Sequence, residues 1–182
     1  MIIPALGPLQ LHSNPGIPVN HPWFQRFQWF ESAPVSVPYF DGLPLKFTLQ
    51  GLTEEDAGDV QSAVEAFLAL DSSARLAASP RVFQNYQHIL DEAGEDLVDC
   101  RIATPEAVWE FVRPRDIFVS RRQRHDRLIY VRIAARCEWE TEHGLQLSYR
   151  QGSELARVSD QDGHLTDSDA YNLPEGQDRI VS

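Results

Sequence analysis

The sequence predicts a single α+β domain, in which an antiparallel β-sheet of about five to six strands carries about three helices packed on one face. Two observations lead to this prediction. Apolar and polar residues alternate through residues 34–50 and 116–160, as they do in strands that bury one face. Between these regions, residues 53–112 place apolar side chains at helical spacing. We therefore expect the helices to lie against one face of a sheet that both strand-forming regions build.

The clearest strands lie in the second region. In residues 128–139 every odd position from 129 onward is apolar, whereas arginines and glutamates occupy most of the even positions from 132 onward. The same alternation recurs in residues 145–150, and a turn at 151–153 leads into a weaker strand at 155–159. Residues 116–121 form one more strand. The alternation predicts one buried face and one face open to water.

Turn and helix-cap residues predict the strands of residues 34–50 and the three helices. Residues 35–39 and 45–50 are predicted to pair as a hairpin around the Asp41-Gly42 turn. Thr53 and Asp56 resemble a capping box, which starts the first helix. The second and third helices are predicted to begin at Ser79-Pro80 and Thr104-Pro105, where proline takes the first helical position.

The chain divides into three parts. Residues 1–22 contain five prolines, which predicts an N-terminal arm without a helix. Residues 23–171 form the α+β domain, and residues 172–182 form a polar, loosely held tail. The aromatic segment 23–30 is expected to belong to the core or to cover a sheet face. A partner-binding surface and a self-association surface are the alternatives for that segment.

The composition excludes several classes of function. The 182 residues carry a net charge of −11, which disfavours binding to nucleic acid or to an anionic membrane. The N-terminus has neither the basic nor the apolar region of a signal peptide, and no apolar run is long enough to cross a bilayer. We therefore expect a cytoplasmic protein with no membrane partner.

The sequence offers no convincing nucleophile. Cys137 falls on the apolar face of a predicted strand, so a buried free thiol is expected; a disulfide with Cys100 is the alternative. Neither a G-x-S-x-G motif nor a glycine-rich phosphate loop occurs. No cofactor and no bound metal is therefore expected.

Arginines are concentrated in one stretch. Residues 113–136 contain eight of the 16 basic residues of the chain. Guanidinium groups bind carboxylates and phosphates bidentately, so this stretch is a candidate site for an anion or an acidic protein. The alternative is a solvated sheet face that pairs with nearby acidic residues. The candidate binding residues within the stretch are Arg121, Arg122, Arg124 and Arg127.

A second candidate site consists of histidines and carboxylates at strand ends. Glu142 and His143 precede the strand at 145–150, and Asp162 and His164 follow the strand at 155–159. Neighbouring antiparallel strands bring these two pairs to the same end of the sheet. Imidazoles with carboxylates bind metals or exchange protons, although the spacing matches no established metal motif. The alternative is that both histidines cap turns.

The residues around this cluster resemble a known group of sequences. The run Cys137-x-Trp139-Glu140-x-Glu142-His143-Gly144-Leu145-x-Leu147, followed by Asp162-Gly163-His164-Leu165-Thr166, resembles a family of uncharacterised bacterial proteins. Some relatives look similar to small acidic immunity proteins of bacterial toxin systems. The resemblance implies no catalytic residue. It implies that a set of residues belongs to a shared constellation, for which a structural role is the alternative to a functional one: Trp139, Glu142, His143, Gly144, Gly163 and His164.

We therefore predict a non-enzymatic cytoplasmic protein that acts by binding another protein, with an immunity-type inhibitor of a bacterial toxin as the narrower form. The alternative is a metal-assisted or acid–base enzyme that uses Glu142, His143, Asp162 and His164. The predicted binding residues are Arg121, Arg122, Arg124, Arg127, Trp139, Glu142, His143 and His164.

Overall fold

A computed structural model describes residues 1–11, 29–93, 100–174 and 176–181. Its centre is one sheet of eight strands: β1 (Leu9–Leu11), β2 (Trp29–Ser32), β3 (Val35–Val37), β4 (Leu43–Gln50), β5 (Val112–Arg121), β6 (Ile129–Cys137), β7 (Leu145–Arg150) and β8 (Glu154–Ser159). Their order in the sheet is β1-β2-β4-β5-β6-β7-β8, and β3 pairs with β4.

The sheet differs from the prediction in two respects. The six strands that the sequence predicts correspond to β3–β8, and the prediction was too low because it assigned no strands to β1 and β2. The sheet is also not wholly antiparallel, because β4 and β5 pair in parallel, with Lys46 opposite Asp116. The helical segment between these two strands provides the long crossover that parallel pairing requires. The predicted hairpin is confirmed, with Val37 of β3 opposite Leu43 of β4.

Two helices lie in the crossover, and one begins earlier than predicted. Helix α1 spans Ala57–Leu68, and the capping box before it is present, since the Asp56 carboxylate accepts the Thr53 backbone N–H at 2.8 Å. Helix α2 spans Ser72–Ala93, so the predicted start at Ser79-Pro80 is wrong. Asp71 sets the actual start, because its carboxylate accepts the Ser73 backbone N–H at 2.8 Å, and Pro80 lies inside the helix. The predicted third helix is a 3₁₀ segment, Pro105–Phe111.

The crossover covers the apolar face of the sheet. Val64 and Phe67 of α1 are fully buried, and the Phe67 ring lies 6.2 Å from that of Phe47 on β4 and 5.9 Å from that of Tyr149 on β7. Buried side chains of β6, such as Ile133, continue the same core. The alternation in the sequence therefore identified this face correctly.

The opposite face is less open than the alternation predicts. Gln146 and Ser148 of β7 are only 1% and 0% exposed. Residues 160–172 lie against this face; the Gln146 side chain donates to the His164 carbonyl oxygen at 2.6 Å. Their short helix α3 (Asp167–Tyr171) was not predicted. The chain then returns beside β8, where Val181 pairs with Val158. This open face, partly covered by the C-terminal segment, holds the candidate site.

Some predictions concern residues outside the described part of the chain. The aromatic residues Trp23, Phe24 and Phe27 are among them, whereas Trp29 and Phe30 belong to β2. Of the described helices, none has the length and apolar character needed to span a lipid bilayer.

Candidate functional site

A groove runs across the open face of the sheet as three adjoining cavities. The Arg124 cavity, of about 550 Å³, lies beside the loop that joins β5 to β6. The middle cavity, of about 260 Å³, shares Gly163 with it. The His143 cavity, of about 530 Å³, shares Phe118, Ala134 and Gln161 with the middle cavity. The groove therefore crosses the central strands β5 and β6.

The lining of this groove is rich in basic side chains. Among the described residues, six arginines, three histidines and four carboxylates line the three cavities, whereas the whole chain has a net charge of −11. Basic charge is thus concentrated on one surface of an acidic protein. The basic residues are Arg115, Arg121, Arg122, Arg124, Arg132, Arg136, His125, His143 and His164, and the acidic residues are Asp116, Glu142, Asp162 and Asp169.

Of the predicted binding arginines, Arg121 is already engaged within the protein. Its Nε donates to Asp56 at 2.8 Å, and its Nη2 donates to Asp59 at 2.7 Å. The hydrogen bonds that Arg121 donates to Asp59 and to Asp56 raise the pKa of its guanidinium. Its Nη1 also donates to the Arg127 carbonyl oxygen at 2.8 Å. Arg121 therefore ties the start of α1 to the β5–β6 loop.

Arg122 is the most deeply buried arginine of the groove, with 1% of its surface exposed. Its Nε donates to Asp169 at 2.9 Å, and its Nη2 donates to the hydroxyls of Thr166 and Ser168, each at 2.7 Å. A further carboxylate, Asp126, lies 3.4 Å from Nη1. Burial disfavours the charge on Arg122, but Asp169 and the other anionic neighbours raise its pKa. This side chain fastens the C-terminal segment to the sheet.

The remaining two predicted arginines are on the surface. Arg124 is exposed and donates to the Asn172 side-chain oxygen at 3.4 Å. Arg127 is exposed, has a positive φ of 55°, and is not among the residues that line the groove. Arg124 therefore presents its charge to the groove, and Arg127 does not.

Asp162 and His164 form a turn at the edge of the middle cavity. The Asp162 carboxylate accepts two bonds from Arg157, at 2.7 and 2.8 Å, and one from the His164 backbone N–H at 2.9 Å. Burial opposes ionisation of Asp162, but these hydrogen bonds hold its pKa below the usual value. The His164 Nδ1 atom lies 3.3 Å from the same carboxylate. Asp162 thus shapes the turn and positions His164 in the Arg124 cavity.

Glu142 and His143 lie in the turn before β7. Glu140 caps this turn, since its carboxylate accepts the backbone N–H groups of Glu142 at 2.9 Å and His143 at 3.0 Å. The His143 Nδ1 atom lies 3.7 Å from Glu140, and its side chain is 63% exposed. Burial raises the pKa of the neighbouring Asp160, and Glu140 adds to this effect.

The two histidines do not share a cavity. The register places Gln146 opposite Ser159, so both turns lie at the same end of β7 and β8, as the sequence predicts. His143 nevertheless lines one end cavity and His164 lines the other. Among the described residues, no group of three or more His, Cys, Asp or Glu side chains is arranged to hold a metal ion. The acid–base or metal-assisted alternative stays a prediction.

Trp139 and Cys137 belong mainly to the core. Trp139 is 4% exposed, its Nε1 donates to Asn85 at 3.1 Å, and its ring lies 5.9 Å from that of Tyr86. It joins β6 to α2 and does not line the groove. Burial raises the pKa of the Cys137 thiol to about 12. This shift keeps the thiol protonated at neutral pH, and the protonated form is a poor nucleophile.

The middle cavity contains Arg132, which was not among the predicted binding residues. Its Nη1 donates to the Gln146 side-chain oxygen at 3.3 Å, and its Nη2 donates to that of Gln50 at 3.2 Å. The guanidinium lies over the Phe118 ring, 4.9 Å from its centroid. In the described chain no carboxylate lies within ion-pair distance of Arg132, and its Nε is buried without a hydrogen-bond partner.

Burial lowers the pKa of Arg132, and Asp162 only partly opposes this effect. The alternation in β6 indicated that Arg132 lies on the face away from the core. It did not indicate which strand residues would be its neighbours. Those neighbours are set by the register of β4, β5 and β7, which local sequence does not show.

The fold and the groove define an α+β domain with an arginine-lined groove on one face of a mostly antiparallel sheet. The chain belongs to a family described as a domain of unknown function (DUF6985), whose model matches residues 20–165. No curated protein and no solved structure matches the chain significantly.

Proposed function

We propose that this chain is a non-enzymatic cytoplasmic protein that binds another protein, and that the groove receives an acidic, extended segment of that partner. The observation that carries the proposal is the concentration of six arginines on one surface of a chain with a net charge of −11. Complementary charge steers an acidic partner to this surface and discourages wrong partners.

The arginines at the ends of the groove are positioned for recognition. Arg124 lines one end cavity, and Arg115 and Arg136 line the other; all three are exposed. By contrast, Arg121 and Arg122 are engaged with carboxylates of the chain itself. We therefore assign partner binding to Arg124, Arg115 and Arg136, and a scaffolding role to Arg121 and Arg122.

The shape of the groove supports an extended occupant. Its two end cavities, of about 550 and 530 Å³, are joined by a smaller one of about 260 Å³. A peptide in extended conformation places alternate side chains about 7 Å apart, which allows acidic side chains to enter successive cavities. The exposed imidazoles of His143 and His164 provide further polar contacts at the two ends.

The narrower form of the proposal is an immunity-type inhibitor of a bacterial toxin. Such an inhibitor acts by covering a surface of the toxin and requires no catalytic group of its own. The support is twofold. The motifs at Cys137–Leu147 and Asp162–Thr166 resemble those of a bacterial family of which some relatives look similar to immunity proteins, and the groove is basic.

Capture of partners from the native host with folded protein as bait tests the proposal. The wild type is compared with Arg124→Glu/Arg136→Glu, which reverses charge in both end cavities. A matched control is Arg81→Glu together with Arg101→Glu, two exposed arginines that do not line the groove. We expect an acidic protein that the wild type and the control retain and the groove variant loses by more than about tenfold.

Circular dichroism first confirms that all three baits are folded. Equal recovery of the same proteins by the groove variant would show that the groove is not the binding surface. Recovery of no partner by the wild type would contradict a protein-binding function. For the narrower form, the captured protein is expressed alone and with the chain, and relief of growth arrest by the wild type is expected.

A further inference from the structure

We infer that the middle cavity is a carboxylate-binding site, in which Arg132 holds one acidic side chain of the bound segment. The inference rests on the proposed function for the identity of the partner. The site itself rests on the geometry around Arg132 and is tested with a small carboxylate alone.

The first argument is an uncompensated charge. Arg132 is half-buried, and its two hydrogen-bond partners, Gln50 and Gln146, are neutral amides. The nearest acidic influence is Asp162, whose carboxylate is already bound on both oxygens by Arg157. A buried cation without an anionic partner is costly, and a bound carboxylate would relieve that cost.

The second argument concerns unused donors. A guanidinium has five N–H groups, of which Arg132 uses two in the described structure. The two amide oxygens fix the plane of the guanidinium, and the Phe118 ring supports one of its faces. A group held in this way loses little conformational freedom on binding, which favours bidentate recognition of a planar anion.

The third argument is the space beside the guanidinium. The cavity of about 260 Å³ is bounded by Gly163, whose φ is +84°, and a Cβ at that position would lie 3.2 Å from Arg132 Nη1. The absence of a side chain at residue 163 keeps space next to the charge. Because the cavity adjoins both end cavities, a chain that crosses the groove can place a side chain in it.

The same surroundings favour a carboxylate over a phosphate. Asp162 lies at the cavity wall with its charge fixed by a lowered pKa. A singly charged carboxylate meets less repulsion from Asp162 than a doubly charged phosphate does. Two buried arginines of this face, Arg122 and Arg157, have internal carboxylate partners and are not available to the ligand.

Nuclear magnetic resonance of the arginine Nε–Hε groups tests this site in the intact wild-type chain. Sodium acetate is titrated at constant ionic strength against sodium chloride, with a parallel titration of sodium phosphate. We expect a saturable shift of the Arg132 Nε–Hε resonance with acetate, and a weaker response to phosphate. A resonance that does not shift with acetate, or that responds only to ionic strength, would overturn the inference. A stronger response to phosphate would overturn the preference for a carboxylate.

Two variants provide an independent measure by means of acetate-dependent thermal stabilisation. Arg132→Lys keeps the charge but loses the bidentate geometry, and we expect acetate to bind about tenfold more weakly. Arg127→Gln removes one positive charge from an exposed position that does not line the groove, and we expect unchanged acetate binding. Equal weakening in both variants would mean that only the general field of the groove attracts the anion, and would overturn the site.

The two proposals fail in distinguishable ways. If acetate binds at Arg132 but no protein partner is captured, the carboxylate site stands and the protein-binding function falls. If a partner is captured through Arg124 and Arg136 but Arg132→Lys leaves both partner and acetate binding unchanged, the function stands and the assignment of Arg132 is wrong.

Discussion

Arg122 and Arg132 lie on the same side of the sheet, yet their surroundings differ in the way that matters for function. Arg122 is 1% exposed and contacts two carboxylates and two hydroxyls. Arg132 has two amide oxygens and an aromatic ring, and it contacts no carboxylate of the described chain. The described residues pair the Arg122 guanidinium with carboxylates and place none within ion-pair distance of Arg132.

This difference distinguishes an arginine that stabilises the fold from one that is placed to bind a partner. The partners of Arg122 come from the β5–β6 loop and from the segment around α3, so the network fixes that segment on the sheet. An arginine whose charge is already matched gains little from an external anion, whereas an unmatched one gains more. We therefore infer that Arg122 and its partners hold the groove in shape, and that Arg132 is part of the binding surface of the groove.

The largest expected effect is at Arg122. Arg122→Met leaves Asp169 without the Arg122 cation, whereas Asp126 keeps Arg150 at 3.2 Å, and we expect the free energy of unfolding to fall by about 3 kcal/mol. Urea denaturation followed by circular dichroism measures this change. Arg124→Met removes the same charge from an exposed neighbouring position and is expected to cost less than about 0.5 kcal/mol. Equal costs in the two variants would show that the network contributes no stability of its own.

Local sequence predicts much of the sheet but not this network. The alternating residues of β5–β8 indicate which side chains face the core, because alternation is a property of the strand itself. Asp169 and Arg122 are 47 residues apart in the sequence and meet only after the C-terminal segment folds back. Gln146 and Ser148 likewise look like solvent-facing residues, since the sequence does not show that this segment covers them.

The same limit explains the parallel strand pair and the start of α2. Parallel pairing of β4 with β5 depends on how the crossover packs, which the strand sequences alone do not specify. At α2, Asp71 and Pro80 are competing signals for a helix start, and the cap at Asp71 determines it. For the candidate site, the concentration of arginines was visible in the sequence. The unmatched charge of Arg132 could not be predicted in the same way, because it depends on the register of four strands.

A smaller effect is expected at Gly163, the glycine beside Arg132. Gly163→Ala places a side chain at φ +84° and 3.2 Å from Arg132 Nη1, and we expect a loss of about 1.5 kcal/mol in stability. Gly51→Ala is the matched control, because φ is +63° there and no atom lies within 4 Å of the new Cβ. Both variants should lose similar stability, but only Gly163→Ala should weaken acetate binding. Weakened binding in both variants would show that backbone strain, and not the occupied space, is responsible.

Asp160 and Asp162, in the turn at residues 160–164, are expected to have opposite effects on how stability depends on pH. Each effect is less than about 1 kcal/mol because both carboxylates are partly exposed. The pKa of Asp162 is lower in the folded than in the unfolded chain, so its stabilisation is present above the ordinary value of 3.8 and is lost as the pH falls through the folded value. Asp162→Asn should therefore flatten the decline of stability in acid.

The pKa of Asp160 is raised, so its ionisation costs stability as the pH rises through the folded value. Asp160→Asn should remove this cost and be the more stable of the two variants at pH 7. Urea denaturation across the acid range measures both effects. The same sign of change at pH 7 in both variants would contradict the assignment of opposite roles to these neighbouring carboxylates.

The smallest expected effect on stability is at Arg132 itself, and it is the most informative for the comparison with Arg122. Arg132→Met removes a half-buried charge that has no anionic partner, while the methionine fills part of the space beside Phe118. Loss of two hydrogen bonds to amides opposes the relief of an unmatched charge, so we expect a net change within about 1 kcal/mol in either direction. The same urea experiment should then show Arg132→Met near the wild type and Arg122→Met far below it. A cost at Arg132 as large as that at Arg122 would mean that its charge is matched within the protein, and Arg132 would then be a structural residue.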